Sequence, residues 1–298
     1  MNFNLFWTTK VYGFGKELRR YGYYPSFLPL CVYSSHGVTL SSEPAPHELN
    51  NLALVMLYFT PRPVNKYLQL SSKKCYSVVS PYVFYRRRKN IGQHDDKKGT
   101  LVFPAHSTPN IDDLSNMDIY ISQLKTLPEK YAPLTICLHY HDMQKGLDKK
   151  FHDAGFEVVS VGNPNKRNFI KDFYEILRKY KYATSNSVGS YLFYATEMGI
   201  PFFLFGNAPQ YFNKGDENVQ KGVYDSYLKY DLTQKTILLF SEKRESVSQE
   251  QHFFVEKELG VHDSISRTKV SCLLYFSLLA IPLVLIKWCF SSISFNEK

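Results

Sequence analysis

Residues 166–206 read KRNFIKDFYEILRKYKYATSNSVGSYLFYATEMGIPFFLFG and form a repeating pattern of helix and strand. Apolar residues at helical spacing predict a helix before the short strand at 182–184. A polar turn follows, and a second apolar-periodic segment predicts a second helix that ends at Gly199. The near-continuous apolar run 201–205 is typical of a buried parallel strand. The stretch therefore predicts an α/β fold.

The polar turn SNSVGS, residues 185–190, links a buried strand to the start of a helix. A helix N-terminus offers unpaired N–H groups and the positive end of the helix dipole, so it favours an anion. The turn is a candidate phosphate-binding site, formed by Ser185, Asn186, Ser187, Gly189 and Ser190. Alternatively, Asn186 or Ser187 only caps the helix.

Three further strands are predicted upstream, at 99–103, 134–138 and 156–161, each followed by polar residues and a helix. This alternation indicates a parallel, doubly wound sheet. Parallel strands joined by right-handed crossovers place their carboxyl-end loops on one rim. We therefore expect the polar turn to lie close to the histidines that follow two of the strands, His106, His139 and His141.

His139, His141 and Asp142 are candidate metal ligands because they lie next to one another in the sequence. Two imidazoles and a carboxylate could bind zinc, but no third histidine or cysteine follows at ligand spacing. The aspartate pairs 95–96 and 112–113 fit loop solvation and a helix start as well as they fit divalent-ion ligands. No metal site is predicted. The chain also lacks the P-loop, GxGxxG and GxSxG motifs.

The first part of the chain supplies a candidate general base. Strands are expected at 2–8 and 28–33, and the second delivers the loop SSHG, residues 34–37. A histidine in such a loop can accept a proton near neutral pH, and the adjacent glycine allows close approach of a substrate. His36 is the candidate catalytic residue. The alternative is a loop histidine that only hydrogen-bonds locally.

Further elements are predicted less directly in the same region. A helix is expected at 48–57 and a strand at 75–83, which leads to the basic cluster RRRK at 86–89. That cluster either holds a diphosphate or forms a solvated basic turn.

The length and composition of the chain limit the architectures that it can adopt. The 298 residues suffice for two domains of ordinary size, and we place boundaries to give regions 1–97, 98–245 and 246–298. A net charge of +9 suits phosphate-bearing ligands or an anionic membrane. No nucleic-acid-binding motif is present, so no nucleic-acid partner is predicted. The five cysteines form no CxxC pair and are expected to be buried, reduced thiols.

The carboxyl-terminal region predicts membrane contact. A last strand is expected at 235–240 and an amphipathic helix at 246–259. Residues 270–286 carry no charge, and Lys287–Trp288 follows as an interfacial anchor would. Contact with a membrane through 270–290 is expected. Arg267 and Lys269 precede the segment, so the body of the chain is expected on the cytoplasmic side.

Taken together, these motifs resemble those of the GT-B glycosyltransferases of bacterial surface polysaccharides, including capsule, teichoic-acid and sialyltransferase-like groups, over about residues 1–245. His36-Gly37 is similar to the family's general-base motif, and His139 or His141 occupies a place similar to that of its His-Pro motif. The serine turn is similar to the one that holds the donor phosphate. The chain departs where the family has a ribose-binding glutamate, because Tyr194 stands there and Glu197 faces another side of the helix.

The resemblance implies two Rossmann-like domains with a carboxyl-terminal hydrophobic helix. It implies metal-independent transfer of a sugar from a nucleotide-sugar donor to a surface-glycan or lipid-linked acceptor, with no cofactor. Such an enzyme would serve capsule or lipopolysaccharide biosynthesis at the cytoplasmic face of the inner membrane. Two alternatives remain, a nonhydrolysing sugar-nucleotide epimerase and a catalytically silent, membrane-associated scaffold with a Rossmann-like core.

Overall fold

A computed structural model describes residues 4–217, 221–224 and 226–286 as a mixed α/β structure with two parallel sheets and one small antiparallel sheet. The strands are β1 Tyr33–Ser34, β2 Val55–Tyr58, β3 Lys74–Ser77, β4 Thr100–Phe103, β5 Ile111–Asp113, β6 Leu134–Cys137, β7 Glu157–Val159, β8 Tyr182–Ser185, β9 Phe202–Leu204, β10 Tyr211–Asn213 and β11 Gly222–Tyr224. The helices are α1 Trp7–Lys10, α2 Phe14–Tyr21, α3 Pro46–Asn50, α4 Arg62–Leu70, α5 Pro81–Arg88, α6 Met117–Leu124, α7 Tyr140–Gln144, α8 Leu147–Asp153, α9 Phe169–Leu177, α10 Ser190–Glu197, α11 Asp231–Phe240, α12 Gln249–Glu258 and α13 Arg267–Phe276.

The larger sheet has five parallel strands in the order β7-β6-β4-β8-β9. The chain winds outward from β4 through β6 to β7, then crosses back to β8 and β9 on the other side. This is the doubly wound arrangement predicted from the alternation of strands and helices. The winding direction reverses between β4 and β8, and ligands of such sheets bind outside the strand ends at that switch point.

Both faces of the larger sheet are covered by helices. Leu101 and Phe103 of β4 belong to the same core cluster as α9 and α10, whereas Val102 packs on the opposite face with α6 and α8. Successive side chains of β4 thus pack in two apolar layers, which is why Leu101, Val102 and Phe103 are all apolar.

The smaller parallel sheet has the order β1-β2-β3 and lies wholly within residues 1–97. Its core is continuous with that of the larger sheet, because Leu57 of β2 belongs to the same buried cluster as Leu101 of β4. Helix α5 joins the two regions by packing against α2 and α9. The boundary near residue 97 stays a prediction.

The third sheet is antiparallel, and we call it the flap. Strand β10 lies between β5 and β11, so the segment after β4 is joined to a hairpin about a hundred residues later. The helix predicted after the strand at 99–103 begins only at Met117, because 111–113 pairs with β10. A pairing so distant in sequence leaves no local signal.

Several predicted elements in the first hundred residues are wrong. The strand predicted at 2–8 is replaced, in its described part, by a bridge from Asn4 to Leu30 and the start of α1. The helix predicted at 48–57 ends at Asn50, and 55–58 is the central strand of the smaller sheet. Short apolar runs fit strand and helix equally, and tertiary pairing decides between them.

Two other predicted strands differ from the elements that the structure has at those positions. The strand predicted at 75–83 ends at Ser77, and Pro81 starts α5, where its fixed φ suits the first helical turn. The strand predicted at 235–240 is the second half of α11. The helix predicted at 246–259 is confirmed as α12, which Ser248 caps through the Gln251 N–H.

Helix α13 continues through a 3₁₀ turn, so that Arg267–Ile286 is a 20-residue helical segment, and its most apolar 18-residue window has a mean hydropathy of 2.2. It is long and apolar enough to cross a membrane, and only 28% of its most apolar window is buried. A core helix would be mostly buried. Cys272 is exposed on this segment, unlike the buried Cys31, Cys75 and Cys137. Residues 287–290 and Cys289 lie outside the described residues.

Candidate active site

The loop that carries His36 is anchored at its base. Ser35 donates its N–H to the Leu57 carbonyl at 3.0 Å, and its Oγ accepts the Phe59 N–H at 3.0 Å. Both bonds tie the end of β1 to β2. Since Ser35 is buried while His36 is exposed, the anchored residue holds the imidazole out at the carboxyl end of the sheet.

The same loop contacts the start of α10 on the larger sheet. The Val38 N–H donates to Ser190 Oγ at 3.0 Å. A Cβ at Gly37 would lie 2.5 Å from that oxygen, so this approach requires glycine. The structure therefore joins His36-Gly37 to the serine turn across the two sheets.

Five imidazoles lie along this junction, and we call them the histidine row: His36, His47, His106, His139 and His141. His106 stacks on His139 with ring centroids 4.5 Å apart, and His139 lies 5.2 Å from His141. Trp7 lies between His36 and His47, at 5.7 and 5.9 Å. The row thus begins in the smaller sheet and ends at the strand tips of the larger one.

Electrostatics connect the two ends of the row. Loss of hydration and the charges of His47 and His106 together lower the pKa of His36 to about 4, and Asp216 opposes them. Burial lowers the pKa of His139 to about 3, again with help from His106 and from His141. His106 lowers the pKa of both groups, so the two ends of the row are electrostatically linked. His36 and His139 are neutral at pH 7, so each can accept a proton.

The serine turn divides into a buried half and an accessible half. Asn186 accepts the Ala105 N–H at 2.8 Å and donates to the Asn207 carbonyl at 3.1 Å, while Ser185 Oγ contacts the Tyr191 hydroxyl at 2.8 Å. These two residues are buried and hold the turn together. The accessible half consists of Ser187, Gly189 and Ser190. Within the described chain, no side chain caps the N-terminus of α10.

Asp142 stabilises the loop that follows β4. Its Oδ1 accepts the Ser107 N–H at 3.1 Å and the Ser107 hydroxyl at 2.6 Å, so it fixes the loop that follows β4 and presents His106. In the ranges that the structure describes, no group of three or more histidine, cysteine, aspartate or glutamate side chains is arranged to hold a metal ion.

The basic cluster at 86–89 lies at the end of α5 rather than at a strand end, and its arginines pair with carboxylates of the protein. Arg86 donates two bonds of 2.6 Å to Glu197, and Arg87 Nε donates a third of 2.9 Å. Arg88 donates to Glu17 at 2.9 Å. The three arginines cross-link helices through these carboxylates, while Arg87, Arg88 and Lys89 stay exposed at the surface.

Three residues beside the row were not predicted from the sequence. The sequence pattern predicts a strand at Trp7 and a helix start at Asp113, and it predicts no element at Asp216. Burial raises the pKa of Asp113, which His106 partly opposes. Asp113 Oδ2 is buried and has no hydrogen-bond partner among the described residues. The flap brings both aspartates to the histidines, and its long-range pairing gave no sequence signal.

A depression of about 380 Å³ lies along α6 and is lined by Asp118, Ile119, Ser122, Gln123 and Thr126. It shares no residue with the histidine row and contains one carboxylate and no imidazole. The row is therefore the better candidate for chemistry, because proton transfer and anion binding need several polar groups that converge.

No family model matches the chain, and no curated protein matches it. Among solved structures, the wall teichoic acid polymerase TagF is similar at 14% identity and a TM-score of 0.42, over 86% of this chain and 69% of that one. A likeness at this level carries no weight for activity, and the geometry of the row has to support any function.

Proposed function

We propose that this protein is a glycosyltransferase that moves a sugar from a nucleotide-sugar donor to a surface-glycan or lipid-linked acceptor. Residues 1–97 would form the acceptor-side domain and 98–245 the donor-binding domain of a GT-B-like enzyme. One observation carries the proposal. The His36 loop of the smaller sheet touches the uncapped start of α10 at the switch point of the larger sheet.

His36 would act as the general base. Sugar transfer to a hydroxyl group requires a neutral group that takes the proton as the new bond forms. His36 meets that need because its lowered pKa keeps the imidazole neutral at pH 7, and the residue reaches the surface although the protein around it reduces its hydration. A bound diphosphate would place negative charge near the imidazole and raise its pKa toward neutrality, which would make it a stronger base in the complex.

The departing phosphate would be stabilised at the start of α10. The helix dipole and the N–H groups of Gly189 and Ser190 favour negative charge there, whereas the Ser187 N–H already donates to Ser185 Oγ at 2.9 Å. His106 and His139 would donate hydrogen bonds to the phosphate oxygens, and His141 would support them. This arrangement takes the role that a metal ion plays in other transferases, so neither metal nor cofactor enters the proposal.

Residues 246–298 would associate the enzyme with a membrane, since the helix 267–286 presents many apolar side chains to solvent. A lipid-linked acceptor would then be close to the active site. We place the body at the cytoplasmic face of the inner membrane, in capsule or lipopolysaccharide biosynthesis.

The test is His36→Gln in the full chain, with His152→Gln as the matched control because His152 is exposed on α8. Transfer of radiolabelled sugar from UDP-, GDP- and CMP-sugars to a membrane-lipid extract is measured. We expect a fall of about 10²–10⁴-fold for His36→Gln, as for loss of a general base, and none for the control. Thermal shifts with UDP, GDP and CMP should remain in both. Undiminished transfer by His36→Gln contradicts the base assignment.

Asp113 favours a second candidate, the nonhydrolysing epimerase. That reaction needs carboxylates for proton transfer at the sugar, and Asp113 has a buried, unpartnered Oδ2 near His106. Incubation with the same nucleotide sugars and no acceptor separates the two. Interconversion of the sugar that Asp113→Asn abolishes supports the epimerase. Absence of both transfer and interconversion supports the silent scaffold.

A further inference from the structure

Trp7 is a large aromatic residue that stands 48% exposed beside His36 and His47. Exposed tryptophan beside a candidate catalytic group is informative, because an indole buries more apolar area than almost any other side chain when something covers it. The helix that starts with Trp7 buries Thr8 and Thr9 but leaves the indole at the surface.

The indole is held in place although its surface is open. Burial raises the pKa of Tyr33, and the nearby Trp7 indole opposes that shift; the Tyr33 hydroxyl lies 2.9 Å from His47 Nδ1. Phe6 packs edge-on against the Tyr33 ring at 5.8 Å. The ring is therefore flanked by His36, His47 and Tyr33, and its apolar surface is fixed before any ligand arrives. A fixed ring loses little entropy on binding.

The residues around the indole determine which class of ligand can bind there. His36 and His47 border the indole, so an apolar platform is lined with groups that accept or donate hydrogen bonds. A pyranose ring has the matching surface, with an apolar face of C–H groups and a rim of hydroxyls. Few polar groups around an aromatic surface are also typical of small-ligand sites.

We propose that Trp7 is the platform of a carbohydrate subsite, on which a pyranose ring of the acceptor stacks so that one of its hydroxyls lies beside His36. This rests on the proposed glycosyltransferase function and names the acceptor as a sugar. The donor phosphate lies on the other side of His36, at α10, so the two substrates meet at the imidazole.

Intrinsic fluorescence tests the platform without requiring activity. The sequence contains two tryptophans, so Trp288→Phe leaves Trp7 as the sole indole emitter. The full chain in detergent is titrated with methyl glycosides of glucose, galactose and N-acetylglucosamine, with glycerol as a polyol without a ring, and with UDP and CMP. We expect a saturable change with at least one glycoside and none with glycerol. No change with any glycoside, or a change with the nucleotides alone, overturns the proposal.

Kinetics test the role in transfer. Trp7→Ala should raise the acceptor KM by about tenfold, on the order of 1.4 kcal/mol, and leave the donor KM unchanged, whereas Trp7→Phe should recover most of the loss. Tyr23→Ala, another exposed aromatic, is the matched control. An unchanged acceptor KM, or a raised donor KM, overturns the subsite. If the chain transfers no sugar at all, the proposed function fails, and the fluorescence titration decides the subsite separately.

Discussion

Gly37 is the single residue on which the contact between the two sheets depends most directly. An added Cβ would meet Ser190 Oγ at 2.5 Å, and the loop would have to move. We expect Gly37→Ala to lower the free energy of unfolding by about 1–3 kcal/mol, as overpacking does, and to weaken transfer. Urea denaturation measures the first and the sugar-transfer assay the second. Gly92→Ala is the control, since nothing lies within 4 Å of its added Cβ.

A double variant identifies the cause. Ser190→Ala removes the obstructing oxygen, and its Cβ lies 3.6 Å from the one added at Gly37, which is ordinary contact. The loss in Gly37→Ala/Ser190→Ala should therefore be smaller than the sum of the single losses, by about 1 kcal/mol. Additive losses would show that the strain arises elsewhere.

His139 makes the stability of the fold depend on pH. Its pKa is about 3 in the folded protein, below the ordinary value near 6.5, so the unfolded chain binds the proton more readily between those values. The stabilisation is complete above pH 6.5 and is lost as the pH falls. We expect the Tm to drop between pH 7 and pH 5, and to drop less in His139→Gln. Equal slopes for His139→Gln and the exposed-site variant His152→Gln would refute this.

Helix α10 shows how one element serves both the site and the core. Its first residue, Ser190, contacts the His36 loop, and Glu197 at its other end is buried against Arg86 and Arg87 of α5. We expect Glu197→Gln to cost about 3–5 kcal/mol of unfolding free energy, because two guanidinium groups lose their carboxylate. Glu242→Gln breaks the exposed pair with Arg244 and should change stability by less than about 0.5 kcal/mol. Similar losses in both variants would contradict the special position of Glu197.

The whole chain is expected to bind membranes through the helical segment 267–286. Leu279 and Leu283 are exposed on it, at 63% and 45%. Replacing both with glutamate should reduce binding to phosphatidylglycerol vesicles more than tenfold, since each leucine contributes about 1.5 kcal/mol or more when it leaves water. Cosedimentation measures the bound fraction. Leu238→Glu, which is 78% exposed on α11, is the control, and an equal loss there would argue for nonspecific adsorption.

The pattern of the sequence predicted more of the second half of the chain than of the first. Periodicity located all five strands of the larger sheet, β4, β6, β7, β8 and β9. They pair with strands far away in the sequence, but each lies in a local, largely apolar run next to a polar turn. In the first hundred residues the apolar runs are shorter, and the pattern predicts a helix that extends into β2. The positions of His106 and His139 at strand ends could be predicted because both residues closely follow apolar runs, whereas their role in a site stays a prediction.

The sequence by itself determined the alternating α/β fold, the doubly wound sheet and the placing of histidines after its strands, since these follow from local periodicity and from the geometry of parallel sheets. Only the tertiary structure decided which charges are already paired, which strands form the flap, and that Trp7 lies beside His36. Those features depend on contacts between segments far apart in the chain, such as Arg86 with Glu197 and β5 with β10. Local sequence carries no signal for such contacts, because the packing of the whole core sets them.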